Sequence, residues 1–223
     1  MSFKLFIQAI LKFSIGVVLV GALIFIPAGS FNYINGWLFM GILFIPMSIA
    51  GLIMIAKNPS LLASRLDGKE KLKEQSNVVK LSGLMFVFGF VVAGLGYRFS
   101  WYTLPNVVIV IGCILFLISY VLYAIVLKQN TYLSRTIKVV DNQKVIDTGL
   151  YKIVRHPMYF ATLLLFLSMP LVLGSVYSLI IFLSYPFIIV KRIKSEEIYL
   201  EKELLGYLEY KKKVKYRLIP FIW

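Results

Sequence analysis

The chain has little that a catalytic site usually draws on: one histidine, one cysteine and ten carboxylates among 223 residues. A single cysteine excludes a disulfide framework. Cys113 lies inside an apolar run, reads as a small buried hydrophobe, and carries no information about redox compartment. No internal repeat or low-complexity segment is visible. The scarcity of acid leaves 24 Lys and Arg largely unbalanced, for a formal charge of +14. What is abundant is apolar side chains: 60% of the residues are hydrophobic and mean hydropathy is +0.85. Such values lie far outside soluble domains and point to an integral membrane protein.

A bilayer core takes about 20 consecutive apolar residues of helix. Runs of that order occur at 13–31, 33–56, 81–97 and 104–127, which predicts four spanning helices. A fifth apolar stretch, 157–190, is too long for one crossing and is interrupted at Leu173-Gly174-Ser175, so a helical hairpin with two short arms is expected. Charge placement tests this count, because short cytoplasmic loops are rich in Lys and Arg. All but one of the fourteen net charges fall before the first run and within 57–80, 128–156 and 191–223; on the other side stands Arg98 alone.

The expectation is therefore an all-α integral membrane protein of the plasma membrane with about six transmembrane segments, the last two a short helical hairpin. Both termini and a cofactor-binding region are expected to be cytoplasmic, followed by a C-terminal amphipathic helix over 191–213. Basic residues confined to loops between apolar runs suit anionic lipid headgroups rather than nucleic acid. The opening "MSFKLFIQAILKFSIGVVLVGALIFIPAGS" also resembles a secretory signal, but retaining it as an anchor keeps the charge alternation intact. The stretch "KNPSLLASRLDGKEKLKEQSN", 57–77, reads as an interfacial helix with a charged face or as a simple connector. Nothing in the sequence specifies an oligomeric state.

Residues 1–127 offer almost no buried polar group able to do chemistry, which divides the chain into a four-helix transmembrane region and a functional region, 128–223. In the latter, polar residues cluster at the two ends of the hairpin: Arg155-His156-Pro157 before it, Arg192 with Glu196-Glu197 after it. A hairpin returns the chain to the face it left, so the clusters are expected to be neighbours. Pro157 suits the first turn of a helix and leaves His156 near its N-cap. In a purely structural reading Arg155 snorkels to phosphates, His156 caps the helix and Tyr159 joins an interfacial aromatic belt. In a functional one the helix N-terminus beside Arg155 holds an anion. Arg192 and Glu196, four residues apart, share a helix face. They are either an exposed pair worth roughly 0.3 kcal/mol or a site in which Arg192 holds an anionic substrate and Glu196 a cationic or hydroxyl-bearing cofactor group. Ile193, Leu200, Leu204 and Tyr207 are spaced for one apolar face.

In order along the chain stand Gly149-x-Tyr151-x-x-Val154-Arg155-His156-Pro157-x-Tyr159, the hairpin, Arg192-x-x-x-Glu196-Glu197, Tyr207-x-x-Tyr210-x-x-x-Val214 and Leu218-Ile219-Pro220. Over 128–220 this pattern resembles the isoprenylcysteine carboxyl methyltransferase family and its bacterial relatives; the first 127 residues match only as generic membrane helices. The resemblance implies a membrane-embedded enzyme that uses S-adenosylmethionine, without a metal, to methylate a lipid-linked carboxylate drawn from the bilayer. It further implies that His156, Pro157, Met158 and Tyr159 line the cofactor, with Tyr151 and a strand-like run of Gln143, Lys144, Val145 and Ile146 closing over it. Glu196 would contact S-adenosylmethionine and Arg192 the substrate carboxylate, with Arg155 and Glu197 in supporting roles. Ala161 stands where many relatives have glycine, and Lys215-Tyr216 where many have proline.

Three other readings remain open. Similar motifs occur in phospholipid N-methyltransferases, whose amine acceptor needs a proton acceptor such as Glu197 or His156. Some sterol-type membrane reductases using NADPH carry a similar Arg-His-Pro-Asn-Tyr stretch, in which Met158 here replaces the asparagine. A channel or scaffold would call for intramembrane ionisable groups along a path, and the apolar runs contain none.

Overall fold

The computed structural model describes residues 3–66, 73–134, 136–137 and 139–223. Its helices are α1 (Phe3–Ala28), α2 (Ile34–Lys57), α3 (Pro59–Leu66), α4 (Lys73–Arg98), α5 (Asn106–Gln129), α6 (Pro157–Val172), α7 (Val176–Phe182), α8 (Tyr185–Glu203) and α9 (Tyr207–Lys213). A single 3-10 turn, Gly149–Lys152, precedes α6. The four long runs of the sequence are α1, α2, α4 and α5. Two of them start earlier than hydropathy suggests, α1 by ten residues and α4 by eight, because charged residues at a membrane surface extend a helix without adding to its apolar window.

Among the described residues five helical stretches are long and apolar enough to cross a membrane: α1, α2, α4, α5 and the segment Val176–Glu203, which comprises α7 and α8. The sixth expected crossing, α6, is a shorter apolar helix of 16 residues. The hairpin turns at Leu173-Gly174-Ser175 as expected, where the Ser175 hydroxyl caps α7 by accepting from the Ser178 amide at 3.2 Å. Its second arm differs. It breaks at Leu183-Ser184, since the Pro186 ring cannot coexist with a helical carbonyl four residues back, at Phe182, where α7 ends. It then runs without interruption through residue 190 to Glu203. The single helix expected over 191–213 is accordingly two pieces. Gly206, at a φ of +84°, makes a left-handed turn that an L side chain strains to adopt, and α9 starts anew behind it. The run 143–146, expected to be strand-like, has no regular secondary structure; the one bridge among the described residues joins Thr103 and Ser175.

One core unites both halves of the chain, with Ile24, Phe39, Phe90, Phe116, Val172, Phe182 and Ile193 all buried in it. α5 and α6 pack closely because Gly112 brings the backbones together: a Cβ there would lie 2.6 Å from that of Leu171. The outer face of α5 is the reverse case, with Val107, Val110, Ile114, Leu117 and Val121 exposed at helical spacing, a continuous apolar stripe suited to lipid. A smaller cluster lies at one end of the bundle, where Leu204, Tyr207, Tyr210 and Val214 pack against Val139, Val145 and Leu200. It ties the run 143–146 to the tail of α8 and to α9.

Candidate active site

The start of α6 is a closed polar knot. His156 is the N-cap residue and Pro157 the first helical one, but the His156 side chain makes no capping bond. Its Nε2 lies 3.2 Å from Glu197 Oε1 instead. Arg155, only 5% exposed, does not snorkel. Its Nε donates to Glu197 Oε1 at 2.7 Å, and its Nη1 donates to the carbonyls of Val214 and Lys215 at 2.6 and 2.8 Å. Arg217 Nε donates to the other oxygen of Glu197 at 2.8 Å. The backbone amides of Arg155 and His156 donate to the carbonyls of Tyr216 and Arg217, both at 2.9 Å. The tail therefore binds the start of α6 through four successive carbonyls. That explains how Lys215-Tyr216 can stand where relatives carry proline: proline keeps its carbonyl and loses only an amide that this contact never uses.

Beside the knot opens a cavity of about 460 Å³. Three helix faces wall it at helical spacing: Val78, Val79, Ser82, Gly83 and Phe86 on α4; Met158, Tyr159, Thr162 and Phe166 on α6; Tyr185, Ile189, Arg192, Glu196 and Leu200 on α8. The Tyr159 hydroxyl joins the two charged groups of α8, donating to Glu196 Oε2 and accepting from Arg192 Nε at 2.9 Å. The Arg192 guanidinium also lies 5.7 Å from the Tyr159 ring centroid. Arg192 and Glu196 thus form neither the exposed pair of the structural reading nor two isolated groups, but the ends of a three-residue chain along the cavity wall.

Tyrosines close the polar end. Tyr210 donates to the carbonyl of Tyr151 at 2.7 Å, and Asn130 Nδ2 donates to the Tyr151 hydroxyl at 3.2 Å. The Tyr207 hydroxyl is buried without a hydrogen-bond partner among the described residues. Burial, then the carboxylates of Glu197 and Glu196, push the Tyr207 phenol well above its ordinary value, so at neutral pH it keeps its proton and can donate. Against it lie Gln143, Lys144, Val145 and Ile146. Val145 also packs against the cluster of Leu204, Tyr207, Tyr210 and Val214, which holds this run at the cavity.

Of the residues singled out from the sequence, Gln143, Lys144, Val145, Ile146, Tyr151, Arg155, His156, Met158, Tyr159, Arg192 and Glu196 line this cavity. Pro157 and Glu197 do not: Pro157 is buried in the first turn of α6, and Glu197 points from the buried stripe of α8 into the knot. The expectation that residues 1–127 offer almost no buried polar group able to do chemistry is qualified by two residues that meet the site. Gln75 on α4 is fully buried and donates from Nε2 to the carbonyl of Arg192 at 3.3 Å. Arg65 on α3 lines the cavity. The signal for α3 was present in Asn58-Pro59-Ser60, an N-cap residue followed by proline at the first helical position; the Asn58 side chain accepts from the Leu61 amide at 3.1 Å. The interfacial helix expected across 57–77 is described only on either side of 67–72, which lie outside the described residues.

Residues 108–202 match the model of the isoprenylcysteine carboxyl methyltransferase (ICMT) family, consistent with assignment to it. The matched segment runs from α5 to the end of α8 and includes the α6 motif and Arg192, Glu196 and Glu197, but not α9 or the tail. No curated protein matches the chain. Among the described residues five helices are long and apolar enough to span a membrane, and the segment 108–202 is similar to a family of membrane methyltransferases.

Proposed function

We propose that the protein transfers a methyl group from S-adenosylmethionine to a lipophilic acceptor at the membrane, with a lipid-linked carboxylate as the nucleophile. The observation that carries this reading is the two-sided character of one cavity. Its polar end holds the peptide edge of 143–146, the Tyr207 hydroxyl and the Glu196 carboxylate. Its apolar end is a slot between α4, α6 and α8, walled by Val79, Phe86, Phe166 and Ile189. At Gly83 an added Cβ would have nothing within 4 Å, so the slot has room there. The volume lies within the about 300–1,000 Å³ usual for small-molecule sites.

The residues at the polar end fit the cofactor's chemistry. Glu196 offers an acceptor for its ammonium or ribose hydroxyls, and the peptide edge offers donors and acceptors for an adenine. When bound, S-adenosylmethionine supplies an electrophilic methyl on a sulfonium. Arg192 orients the acceptor carboxylate, which is ionised at neutral pH and needs no general base. Tyr159 fixes Arg192 relative to Glu196 and so sets the acceptor's position against the cofactor's, the alignment that an in-line displacement requires. The apolar slot keeps water out, and transfer removes one positive and one negative charge, a change that dry surroundings favour. An amine acceptor is less well served, since both oxygens of Glu197 are engaged by Arg155, His156 and Arg217.

The proposal includes α6 as a sixth, short crossing, the plasma membrane as location, cytoplasmic termini and cavity, and basic loops resting on anionic lipid headgroups. Residues 128–223 form the cofactor-binding and catalytic region, with α3 and α4 lending it a wall. Calorimetry on detergent-purified protein, with S-adenosylmethionine and NADPH in separate titrations, tests the reaction class. S-adenosylmethionine is expected to bind and NADPH not, with Glu196→Gln weakening the former by about tenfold or more as a charge-assisted contact is lost. Binding of NADPH alone would replace this reading with a reductase.

A further inference from the structure

Arg65 occupies the last turn of α3, outside the segment that matches the family model. Its guanidinium carbon lies 5.5 Å from the ring centroid of Tyr123 on α5. Nε and Nη2 are buried and have no hydrogen-bond partner among the described residues. These two nitrogens make up one edge of the planar guanidinium, the edge whose parallel N–H groups match two oxygens of a carboxylate or phosphate. A cation stripped of water and left without acceptors is unfavourable in any protein interior. It is tolerable where a bound molecule completes the site.

The other charges around the cavity do not complete it. Glu196 is the one carboxylate among its described lining residues, and it is engaged through Tyr159 by Arg192. Arg155 is held by Glu197 and two carbonyls. Arg65 also acts at the polar end rather than at a distance from it. Burial raises the Tyr151 phenol above its ordinary value; the Asn130 hydrogen bond lowers it, the Glu196 charge raises it and the Arg65 charge lowers it. Arg65 and Glu196 are therefore both within electrostatic reach of Tyr151.

We infer that Arg65 is a second anion-binding point of the cavity, distinct from Arg192, which turns its Nε/Nη2 edge from the Tyr123 ring onto a carboxylate or phosphate of a bound molecule. The inference rests on the cavity being the site of S-adenosylmethionine and a lipid acceptor. Two sources of such an anion are chemically equivalent: the amino-acid carboxylate of S-adenosylmethionine and the headgroup of the acceptor.

The test compares full-length wild type, Arg65→Met and Arg65→Lys in detergent. Calorimetry uses S-adenosylmethionine and 5′-methylthioadenosine, which lacks the amino-acid part; ligand-induced thermal shifts use palmitate and its uncharged alcohol, hexadecanol. If the cofactor supplies the anion, Arg65→Met weakens S-adenosylmethionine at least tenfold, spares methylthioadenosine, and Arg65→Lys recovers part of the loss. If the lipid supplies it, the variant loses the palmitate shift while cofactor affinity and the hexadecanol shift hold. Either result supports the inference. Affinities and shifts unchanged within twofold, or equal losses for ligands with and without the anionic group, overturn it. Methionine keeps an apolar contact with the Tyr123 ring and removes a charge that has no acceptor among the described residues, so the ligand-free Tm of Arg65→Met is expected to stay close to that of wild type. A clear fall marks a structural role and overturns the inference. Wild-type protein that binds palmitate but not S-adenosylmethionine sinks the proposed reaction and leaves Arg65 to be judged on the lipid arm; wild type that binds neither sinks both.

Discussion

Glu196 and Glu197 are consecutive in sequence, and their surroundings are opposite. Glu197 is 2% exposed and lies in a knot where Arg155, His156 and Arg217 converge on its two oxygens. Glu196 faces a cavity, reached by the Tyr159 hydroxyl. A step of one residue on a helix turns the side chain by about 100°, enough to carry one carboxylate into the packed stripe with Ile189 and Ile193 and leave the other on the open wall with Arg192. The knot is built to hold the tail onto the start of α6. The wall is built to receive something. Identical side chains are thus divided between stability and binding by their angular position alone.

The largest expected effect breaks this comparison on the knot side. Glu197→Gln leaves the buried Arg155 without its counter-charge, and removing one partner of such a pair costs about 3–5 kcal/mol. Thermal unfolding in detergent is expected to show a large fall in Tm, whereas Glu196→Gln changes it little. Equal stability of the two variants would erase the distinction drawn between them. On the wall side, Arg192→Ala is expected to lower kcat/KM by about 100-fold or more through loss of alignment, with S-adenosylmethionine affinity nearly intact. Loss of cofactor binding would instead exchange the roles given to Arg192 and Glu196. The smallest effect sharpens the comparison by filling the open side. Gly83→Leu places a side chain in the slot, and leucine is the better helix former by roughly 0.8 kcal/mol. Tm is expected to hold or rise while KM for a long-chain acceptor increases about tenfold, each methylene displaced from the slot losing about 0.8 kcal/mol of burial. An unchanged KM would place the lipid elsewhere.

Much of this site was legible from the order of residues, and what was missed shares one cause. The hairpin joins Arg155-His156 to Glu197 because two apolar arms around a turn must return the chain, a property visible in hydropathy. The extension of α4 down to Lys73 and the restart after Gly206 lie outside apolar windows, and the break at Pro186 lies within one, where hydropathy does not register a turn. Arg65 was read as part of a connector because it is charged and flanked by charged residues. Its guanidinium meets Tyr123, 58 residues further along the chain, just as Gln75 meets the carbonyl of Arg192, 117 residues away.

The sequence by itself determined that the chain is helical and apolar enough to embed in a membrane, and that its polar chemistry gathers at the ends of one hairpin. These are local properties, set by the hydropathy of successive windows and by the spacing of a few motif residues. Only the tertiary structure decided which of two adjacent glutamates faces the cavity, that the tail closes the knot through four successive carbonyls, and that α3 and α4 complete the wall. The tail adds the Arg217 side chain to those carbonyls, and all of these outcomes follow from the angular position of each side chain on its helix and from the packing of helices distant along the chain, neither of which is written in any one stretch of residues.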